Sequence, residues 1–148
     1  MDRYFSVVRE DMRRTNGDII IPKRATKHSM AYDIYSNDNY TILPNQIAKI
    51  WTDIKVHMKQ DEGFIINVRS SMGGKFMLAN TSGWVDSDYY DNPSNDGNLG
   101  VFLLNISNET QYIHKGDRIA QGMFIKYLTT DDDFVTTERT GGFGSTNV

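Results

Sequence analysis

The chain has 148 residues, a net charge of −3 and no cysteine. This length fits one domain with a substantial core, and the lack of cysteine excludes disulfides and thiolate metal sites. The negative charge argues against binding a nucleic-acid polymer through a basic face, but it permits a single nucleotide at a local positive site. No segment approaches the ~18 apolar residues of a membrane span, and the amino terminus lacks a signal-peptide core, so we expect no membrane association and a cytoplasmic location.

Short apolar runs rich in β-branched and aromatic residues recur along the chain. In the second half of the Ile47–Met58 run, apolar and polar residues alternate, which indicates a half-buried strand. Runs of this kind predict strands at Tyr4–Val8, Asp18–Ile21, Tyr32–Tyr35, Ile47–Met58, Gly63–Val68, Gly100–Ile106 and Ile119–Leu128. The helix candidate, Ser70–Asn80, contains two adjacent glycines, so at most one short helix is expected, near residues 71–79. The sequence therefore predicts an all-β barrel or sandwich formed by residues 1–148 as a single domain.

Two segments lack the strand pattern. Residues 91–98, with the sequence DNPSNDGN, interrupt what would otherwise be a hairpin. Residues 134–148 have few apolar side chains to anchor them, so we expect a flexible carboxy-terminal arm. Within this arm, the stretch RTGGFGSTN places one aromatic ring among three glycines. The N–H groups of such a glycine run can bind phosphate oxygens, and a disordered polar tail is the alternative.

Further stretches combine residues that bind phosphate or move protons. Arg69, Ser70 and Ser71 follow a predicted strand, where a guanidinium, two hydroxyls and free N–H groups suit a phosphate; a serine-capped strand end is the alternative. Asp86 and Asp88 are spaced to share one face of a strand. That arrangement suits a general base or a metal site, or else a solvated acidic edge.

Two other polar residues stand within predicted strands. Asp33 lies between aromatic residues, where a carboxylate is uncommon unless it is paired, exposed or coordinating. Gln121 is a lone amide in an apolar run that follows a turn. Either a structural or a ligand-binding role fits Gln121.

Five segments, in their order along the chain, resemble the five motifs of the homotrimeric dUTPases. They are AYDIYS from Ala31, RSSMGGKFMLAN from Arg69, GWVDSDYY from Gly83, GDRIAQGMF from Gly116 and RTGGFGSTN from Arg139. The resemblance implies a distorted β-barrel of jelly-roll type and a threefold trimer. It implies active sites shared between subunits, with a swapped tail, and hydrolysis of dUTP to dUMP and pyrophosphate. It fits a bacterial or a phage source equally, with the host cytoplasm as the location in the phage case.

The resemblance also implies roles for individual residues. Asp86 matches the catalytic aspartate that orients the attacking water, and Tyr89 matches the tyrosine that packs under the deoxyribose and excludes ribonucleotides. Asn80 and Gly83 match the hairpin that reads uracil. Asp33 matches the aspartate that reaches Mg²⁺ through water, the ion being chelated by the three phosphates. The remaining implied ligands of the phosphates and the base are Arg69, Ser70, Ser71, Gln121, Arg139, Phe143, Gly144 and Ser145.

The sequence departs from the usual family pattern at four places. Met30 and Ala31 stand where Ala-Gly is usual, and Trp84 replaces a smaller aliphatic residue, so we expect its ring to fill the barrel. Pro93–Asn98 is an insertion after the third motif, at the hairpin edge and the expected subunit contact. A single residue, Thr140, separates Arg139 from the glycine pair where many members have two.

Two alternative functions stay open. A dCTP deaminase or a bifunctional deaminase–dUTPase would also use Arg69 and its serines, but its chemistry needs a glutamate where Asp86 and Asp88 stand. A nucleotide-gated regulator would act on a protein partner, with the 92–98 loop as the candidate partner surface.

Overall fold

The computed structural model describes residues 1–142, so Phe143, Gly144 and Ser145 of the sequence prediction lie outside the described residues. The described chain forms β1 Tyr4–Val7, β2 Tyr32–Tyr35, β3 Tyr40–Ile42, β4 Ile47–Trp51, β5 Ile54–His57, β6 Glu62–Asn67, β7 Phe76–Leu78, β8 Gly83–Asp86, β9 Gly100–Asn105, β10 Gln111–Ile113 and β11 Arg118–Lys126. Single 3₁₀ turns occur at Glu10–Met12, Ser70–Met72 and Ser87–Tyr89. The all-β prediction is confirmed. Within residues 1–142, no helix has the length and apolar character needed to cross a membrane.

All strand pairs in the described chain are antiparallel. They form four small sheets, with strand orders β1–β5, β3–β10, β4–β9–β7 and β2–β11–β6–β8. Ile34, Ile42, Ile50, Phe64 and Leu103 have no exposed surface and come from five different strands. These side chains belong to one hydrophobic cluster, so burial of apolar surface holds the sheets together. Such packing of small sheets fits the jelly-roll type of β fold.

The helix candidate at Ser70–Asn80 is wrong. Only Ser70–Met72 forms a 3₁₀ turn, and Phe76–Leu78 forms strand β7. Gly74 has a φ of +84°, which ends the turn in a conformation that glycine adopts readily. Phe76 and Leu78 are buried while Met77 between them is half-buried. Burial therefore alternates with the two-residue period of a strand rather than with the period of a helix.

Two strand predictions need correction. Asp18–Ile21 forms no strand; Pro22 follows it and has no N–H to donate to a ladder. The Ile47–Met58 run divides into β4 and β5, with Asp53 between them at a φ of 58°. The Asp53 carboxylate accepts bonds from the N–H groups of Arg14 and Thr15, so tertiary contacts stabilise the break.

The outer face of the β2–β11–β6–β8 sheet carries apolar side chains. Ile65 of β6 is directly opposite Trp84 of β8 and Met123 of β11, and paired residues share one face of a sheet. Trp84 is 78% exposed, so the expectation that its ring fills the barrel is wrong. The pleat points Trp84 away from the core, because its neighbours Gly83 and Val85 take the inward positions.

Candidate active site

A cavity of about 420 Å³ opens beside strand β8. This volume lies in the range of small-molecule sites. Its lining comes from four of the segments singled out in the sequence: the end of β6, the second- and third-motif hairpin, the start of β9 and the tail. The lining residues are Ile66, Leu78, Ala79, Asn80, Gly83, Trp84, Val85, Asp86, Tyr89, Leu99, Gly100, Phe102, Arg139 and Gly142.

The hairpin from Asn80 to Gly83 forms one wall of this cavity. Its tip is Thr81, which has a φ of 63°, a conformation that is rare for a β-branched residue and costs of order 1–3 kcal/mol. A hydrogen bond from the Thr81 N–H to the Leu78 carbonyl at 2.9 Å holds Thr81 in this conformation. The hairpin backbone is therefore held in one conformation beside the cavity, which Asn80 and Gly83 line.

Tyr89 forms the buried side of the cavity. Its hydroxyl donates to the Asn98 carbonyl and accepts a bond from Nδ2 of Asn95 at 2.9 Å. Burial raises the pKa of Tyr89 to about 12, so the phenol stays protonated across the physiological range. The ring is therefore held as a rigid, neutral surface.

Arg139 of the tail lies at the mouth of the cavity. Its Nη2 donates to Oδ2 of Asp86 at 2.7 Å, and its Nε donates to Oδ1 of Asp88 at 2.7 Å. The guanidinium carbon lies 6.0 Å from the centre of the Tyr89 ring. The Arg139 side chain is only 11% exposed. Asp88 lies in the 3₁₀ turn rather than on β8, so the predicted shared strand face is wrong, yet both carboxylates reach one guanidinium.

A second group of polar residues gathers around Asp33. Nε of Arg69 donates to Oδ1 of this buried carboxylate at 3.1 Å, and Nη1 of Arg118 lies 3.6 Å from Oδ2. Nη1 of Arg69 also donates to the Ser71 hydroxyl at 3.3 Å. Ser70 and Ser71 are exposed beside these cations. Two arginines and two hydroxyls form a site suited to an anion.

Strand register brings Gln121 to the same group. Gln121 pairs with Asp33 on one side and with Asn67 on the other. The first, second and fourth motifs therefore meet at one end of the four-stranded sheet. This arrangement follows from the order β2–β11–β6, in which β11 is the shared neighbour.

The group around Arg139 and Asp86 and the group around Asp33 and Arg69 lie at opposite ends of β6 within one chain. Asp86 pairs with Gly63 near the start of the strand, whereas Arg69 follows its end in an extended conformation. The six residue steps from Gly63 to Arg69 span about 20 Å at the usual strand rise. Asp86 and Ser70 of the same chain are therefore too far apart to act on one phosphate.

The described residues suit a magnesium ion carried by the substrate. Among residues 1–142, no group of three or more histidine, aspartate or glutamate side chains could hold a metal. Asp33 contributes a single carboxylate, and arginines contact both of its oxygens. Magnesium keeps several waters and is commonly held by substrate phosphates with one or two carboxylates. Asp33 is therefore suited to contact such an ion through one of its bound waters.

A family model for dUTPase matches residues 17–147. The chain belongs to the dUTPase family. The deoxyuridine 5′-triphosphate nucleotidohydrolase of Lactococcus lactis is 41% identical over 148 residues, covering 97% of both chains. The dUTPase of Streptococcus mutans has a similar structure, with a TM-score of 0.76 and 29% identity over 86% of this chain and 98% of that one. The dUTPase from phage phi11 of Staphylococcus aureus, at 20% identity and a TM-score of 0.69, covers 95% of this chain and shares the fold.

Two residues that contact these polar groups were not predicted from the sequence. Arg118 contacts the Asp33 carboxylate. Asn95 was placed in an irregular loop, yet its side chain bonds to Tyr89. The signal for Asn95 was present, because a cluster of asparagines beside a glycine favours a hydrogen-bonded turn, but the pattern does not reveal which residue the turn contacts.

Proposed function

We propose that the chain hydrolyses dUTP to dUMP and pyrophosphate as a trimer with shared sites. The observation that carries the proposal is the cavity between the Asn80–Gly83 hairpin, Tyr89 and Asp86, in a chain of the dUTPase family. Its volume and shape suit a deoxyuridine whose base lies against the hairpin. The ring of Tyr89 would lie under the sugar, where a 2′-hydroxyl would collide with it.

In the proposed reaction, Asp86 orients a water molecule for in-line attack on the α-phosphorus. The water oxygen bonds to that phosphorus, the bond to the bridging oxygen breaks, and pyrophosphate leaves. The Asp86 carboxylate takes the proton from the water, which as general-base catalysis contributes about 10²–10⁴-fold. Ser70, Ser71 and Gln121 would bind the phosphates, and Arg69 would stabilise their charge while Asp33 holds it in place. Asp33 would hold a magnesium ion through water, and the ion would supply positive charge to the leaving pyrophosphate.

The proposed sharing of each site between subunits is supported by the separation of the two groups, and the number of subunits comes from the family resemblance. About 20 Å along β6 divides Asp86 from the Arg69 group within one chain, so the second group must come from a neighbouring chain. The apolar outer face with Ile65, Trp84 and Met123 lies between the two groups and offers a surface for that neighbour. A substrate bound at such a contact would meet Asp86 of one subunit and Ser70 of another.

The test measures pyrophosphate release from dUTP, dTTP, dCTP and UTP with magnesium present. We expect turnover of dUTP and at least ~100-fold lower kcat/KM for the other three, because a site with fixed hydrogen-bond partners rejects a mismatched base or sugar strongly. Ammonia release from dCTP would instead support the deaminase alternative. That alternative lacks support among the described lining residues, which include Asp86 but no glutamate.

A partner-binding function of the 92–98 loop also lacks support. Asn92, Asn95, Asp96 and Asn98 are all buried within the chain. Only Pro93 and Ser94 of this loop are exposed, which leaves little surface for a second protein.

A further inference from the structure

The loop of residues 91–98 has a fixed conformation within the fold and is more than an insertion that the surface accommodates. Asp91 and Asp96 have positive φ values, of 59° and 60°, and such backbone at residues other than glycine persists only where surrounding contacts determine it. Asn98 supplies some of those contacts, since its side chain accepts a bond from the Asp53 N–H and donates to the Asp53 carboxylate. The loop is thus fixed to the segment between β4 and β5.

Lys55 fixes the other side of the loop. Its ammonium lies 2.9 Å from the Asp96 carboxylate and also donates to Asp91. Asp96 accepts a further bond from the Arg9 N–H at 2.8 Å. All the buried side-chain polar atoms of residues 1–142 have hydrogen-bond partners, so this network is complete, as a buried polar cluster must be to stabilise a fold.

The rigid loop holds Tyr89 at three points. Asn92 donates from Nδ2 to the Tyr89 carbonyl at 2.8 Å. Asn95 donates to the Tyr89 hydroxyl, and that hydroxyl donates to the Asn98 carbonyl. The position of the ring that lines the cavity therefore depends on the loop.

The same loop binds the tail. The Gly142 N–H donates to the Ser94 hydroxyl at 2.7 Å, and this hydroxyl donates its own proton to Oδ1 of Asn92 at 2.9 Å. A Cβ atom at Gly142 would lie 2.4 Å from Nδ2 of Asn95, so the backbone approaches the amide as closely as glycine alone allows. One hydrogen-bonded path runs from Gly142 through Ser94, Asn92 and Asn95 to Tyr89.

We propose that Asn92, Ser94 and Asn95 form a tail-docking loop that binds the tail at Gly142 and couples its docking to Tyr89. They are positioning residues, since they contact the tail and the ring rather than the reacting atoms. Their effect on turnover rests on the proposed function, whereas the docking does not. The contacts are local to Gly142 and the loop, so a neighbour's tail would make the same contacts in a domain-swapped trimer.

Trypsin cleavage after Arg139 measures docking directly, without nucleotide. The protease must take the arginine side chain into its own pocket, and the docked Arg139 is largely buried. We expect Ser94→Ala to increase the rate of release of residues 140–148 about five-fold, the effect of losing one hydrogen bond. Ser94→Thr keeps the hydroxyl and should keep the wild-type rate. Ser29→Ala is the matched control, because the Ser29 hydroxyl bonds to Thr26 in another loop.

A variant on the tail side tests the same contact without changing the loop. Gly142→Ala should also accelerate cleavage, since its methyl group would meet the Asn95 amide; a peptide of residues 134–148 with the same change corrects for any effect on trypsin itself. The proposal is overturned if Ser94→Ala and Gly142→Ala, both folded by thermal melting, are cleaved at the wild-type rate.

Turnover separates this proposal from the proposed function. Ser94→Ala should lower kcat/KM for dUTP about five-fold, and Ser94→Thr should restore it. A wild-type protein that releases no pyrophosphate from dUTP overturns the proposed function and leaves the docking result standing. Faster cleavage of Ser94→Ala with unchanged kcat/KM overturns the coupling to Tyr89.

Discussion

Arg139 and Asp86 form an ion pair in which Nη2 and Oδ2 lie 2.7 Å apart, although 53 residues separate them in sequence. The pair joins the fifth motif to the carboxylate that we propose as the base. A phosphate is a strong bidentate partner for a guanidinium, so a bound triphosphate would compete with Asp86 for Arg139. Release of the arginine would leave the Asp86 carboxylate able to accept a proton from water.

Asp86→Asn and Asp88→Asn make a matched pair that separates proton transfer from tail binding. Asp86→Asn should lower kcat about 10²–10⁴-fold because an amide cannot accept the proton, while dUTP still binds. Asp88→Asn removes the other carboxylate bound to Arg139. Since Asp88 is not the proposed base, kcat should stay within ~3-fold of wild type. KM should fall slightly, because Asp88 no longer competes with the phosphates for Arg139, and the effect is small because an exposed ion pair contributes little. Steady-state kinetics and equilibrium binding of dUTP measure both. Wild-type turnover by Asp86→Asn would refute the base assignment.

Mixed trimers test whether two chains build each site. Ser70→Ala and Asp86→Asn chains should each be nearly inactive alone. When the two are co-expressed in equal amounts, about one quarter of the sites combine Ser70 from one chain with Asp86 from the other, so about a quarter of wild-type activity should return. The purified mixture is assayed for pyrophosphate release.

The control for this experiment places both changes in one chain. An equal co-expressed mixture of the Ser70→Ala, Asp86→Asn double variant with wild type should show about a quarter of wild-type activity if sites are shared, because both contributing chains must be wild type, and about half if each site lies within one chain. If the single variants fail to complement each other, each site lies within one chain, and the 20 Å separation along β6 has been closed by some other means.

Local patterns predicted the all-β class, because short runs of β-branched residues bounded by turn formers have few other solutions. The same patterns failed where tertiary contacts decide. Lys55 is the clearest case: its alternation with Ile54 and Val56 indicates a solvent-facing position, yet its side chain is buried between Asp91 and Asp96. The sequence within ten residues of Lys55 does not indicate that Asp91 and Asp96 are its partners.

The candidate site, like the fold, could be predicted only in part from the sequence. The motif order predicted Asp86, Tyr89 and Arg139 as site residues, and these three residues line one cavity. The role of residues 91–98 could not be predicted, because their bonds to Tyr89 and Gly142 depend on a loop conformation with three positive φ angles. The distance between Asp86 and Ser70 likewise required the strand register, which no single segment encodes.

Removal of residues 139–148 should abolish most turnover and leave the fold intact. Leu128, Phe134 and Val135 of the preceding arm are exposed, and the arm before Arg139 adds no side chain to the hydrophobic cluster. The truncated chain should therefore melt within a few degrees of wild type, while kcat/KM for dUTP falls at least ~100-fold with the loss of Arg139. Circular dichroism and pyrophosphate release measure the two effects. A large drop in melting temperature would show that the tail supports the core.

The Lys55–Asp96 pair should make the stability of the docking loop depend on pH. Burial raises the pKa of Asp96, but bonds from the Arg9 N–H and the Lys55 ammonium outweigh burial and hold it below its usual value. A lowered pKa contributes stability that is present above the unfolded value of about 3.9 and is lost as pH falls through the folded value. Burial likewise lowers the pKa of Lys55, yet its bonds to Asp91 and Asp96 leave it raised, so its contribution is lost only in alkali, above the unfolded value of about 10.4.

Asp96→Asn should consequently destabilise the protein by about 2–4 kcal/mol at pH 7, because it leaves Lys55 with the exposed Asp91 as its remaining carboxylate. Urea unfolding at a series of pH values measures the difference from wild type. That difference should begin to shrink as the pH falls below about 4, where Asp96 of the unfolded wild type takes up a proton, and should vanish as the pH falls through the lowered pKa of Asp96 in the folded protein. Asp61→Asn is the matched control, since the exposed Asp61–Lys126 pair should contribute less than ~1 kcal/mol at any pH. A difference that is unchanged from pH 7 to pH 3 would mean that the Asp96 charge does not stabilise the loop.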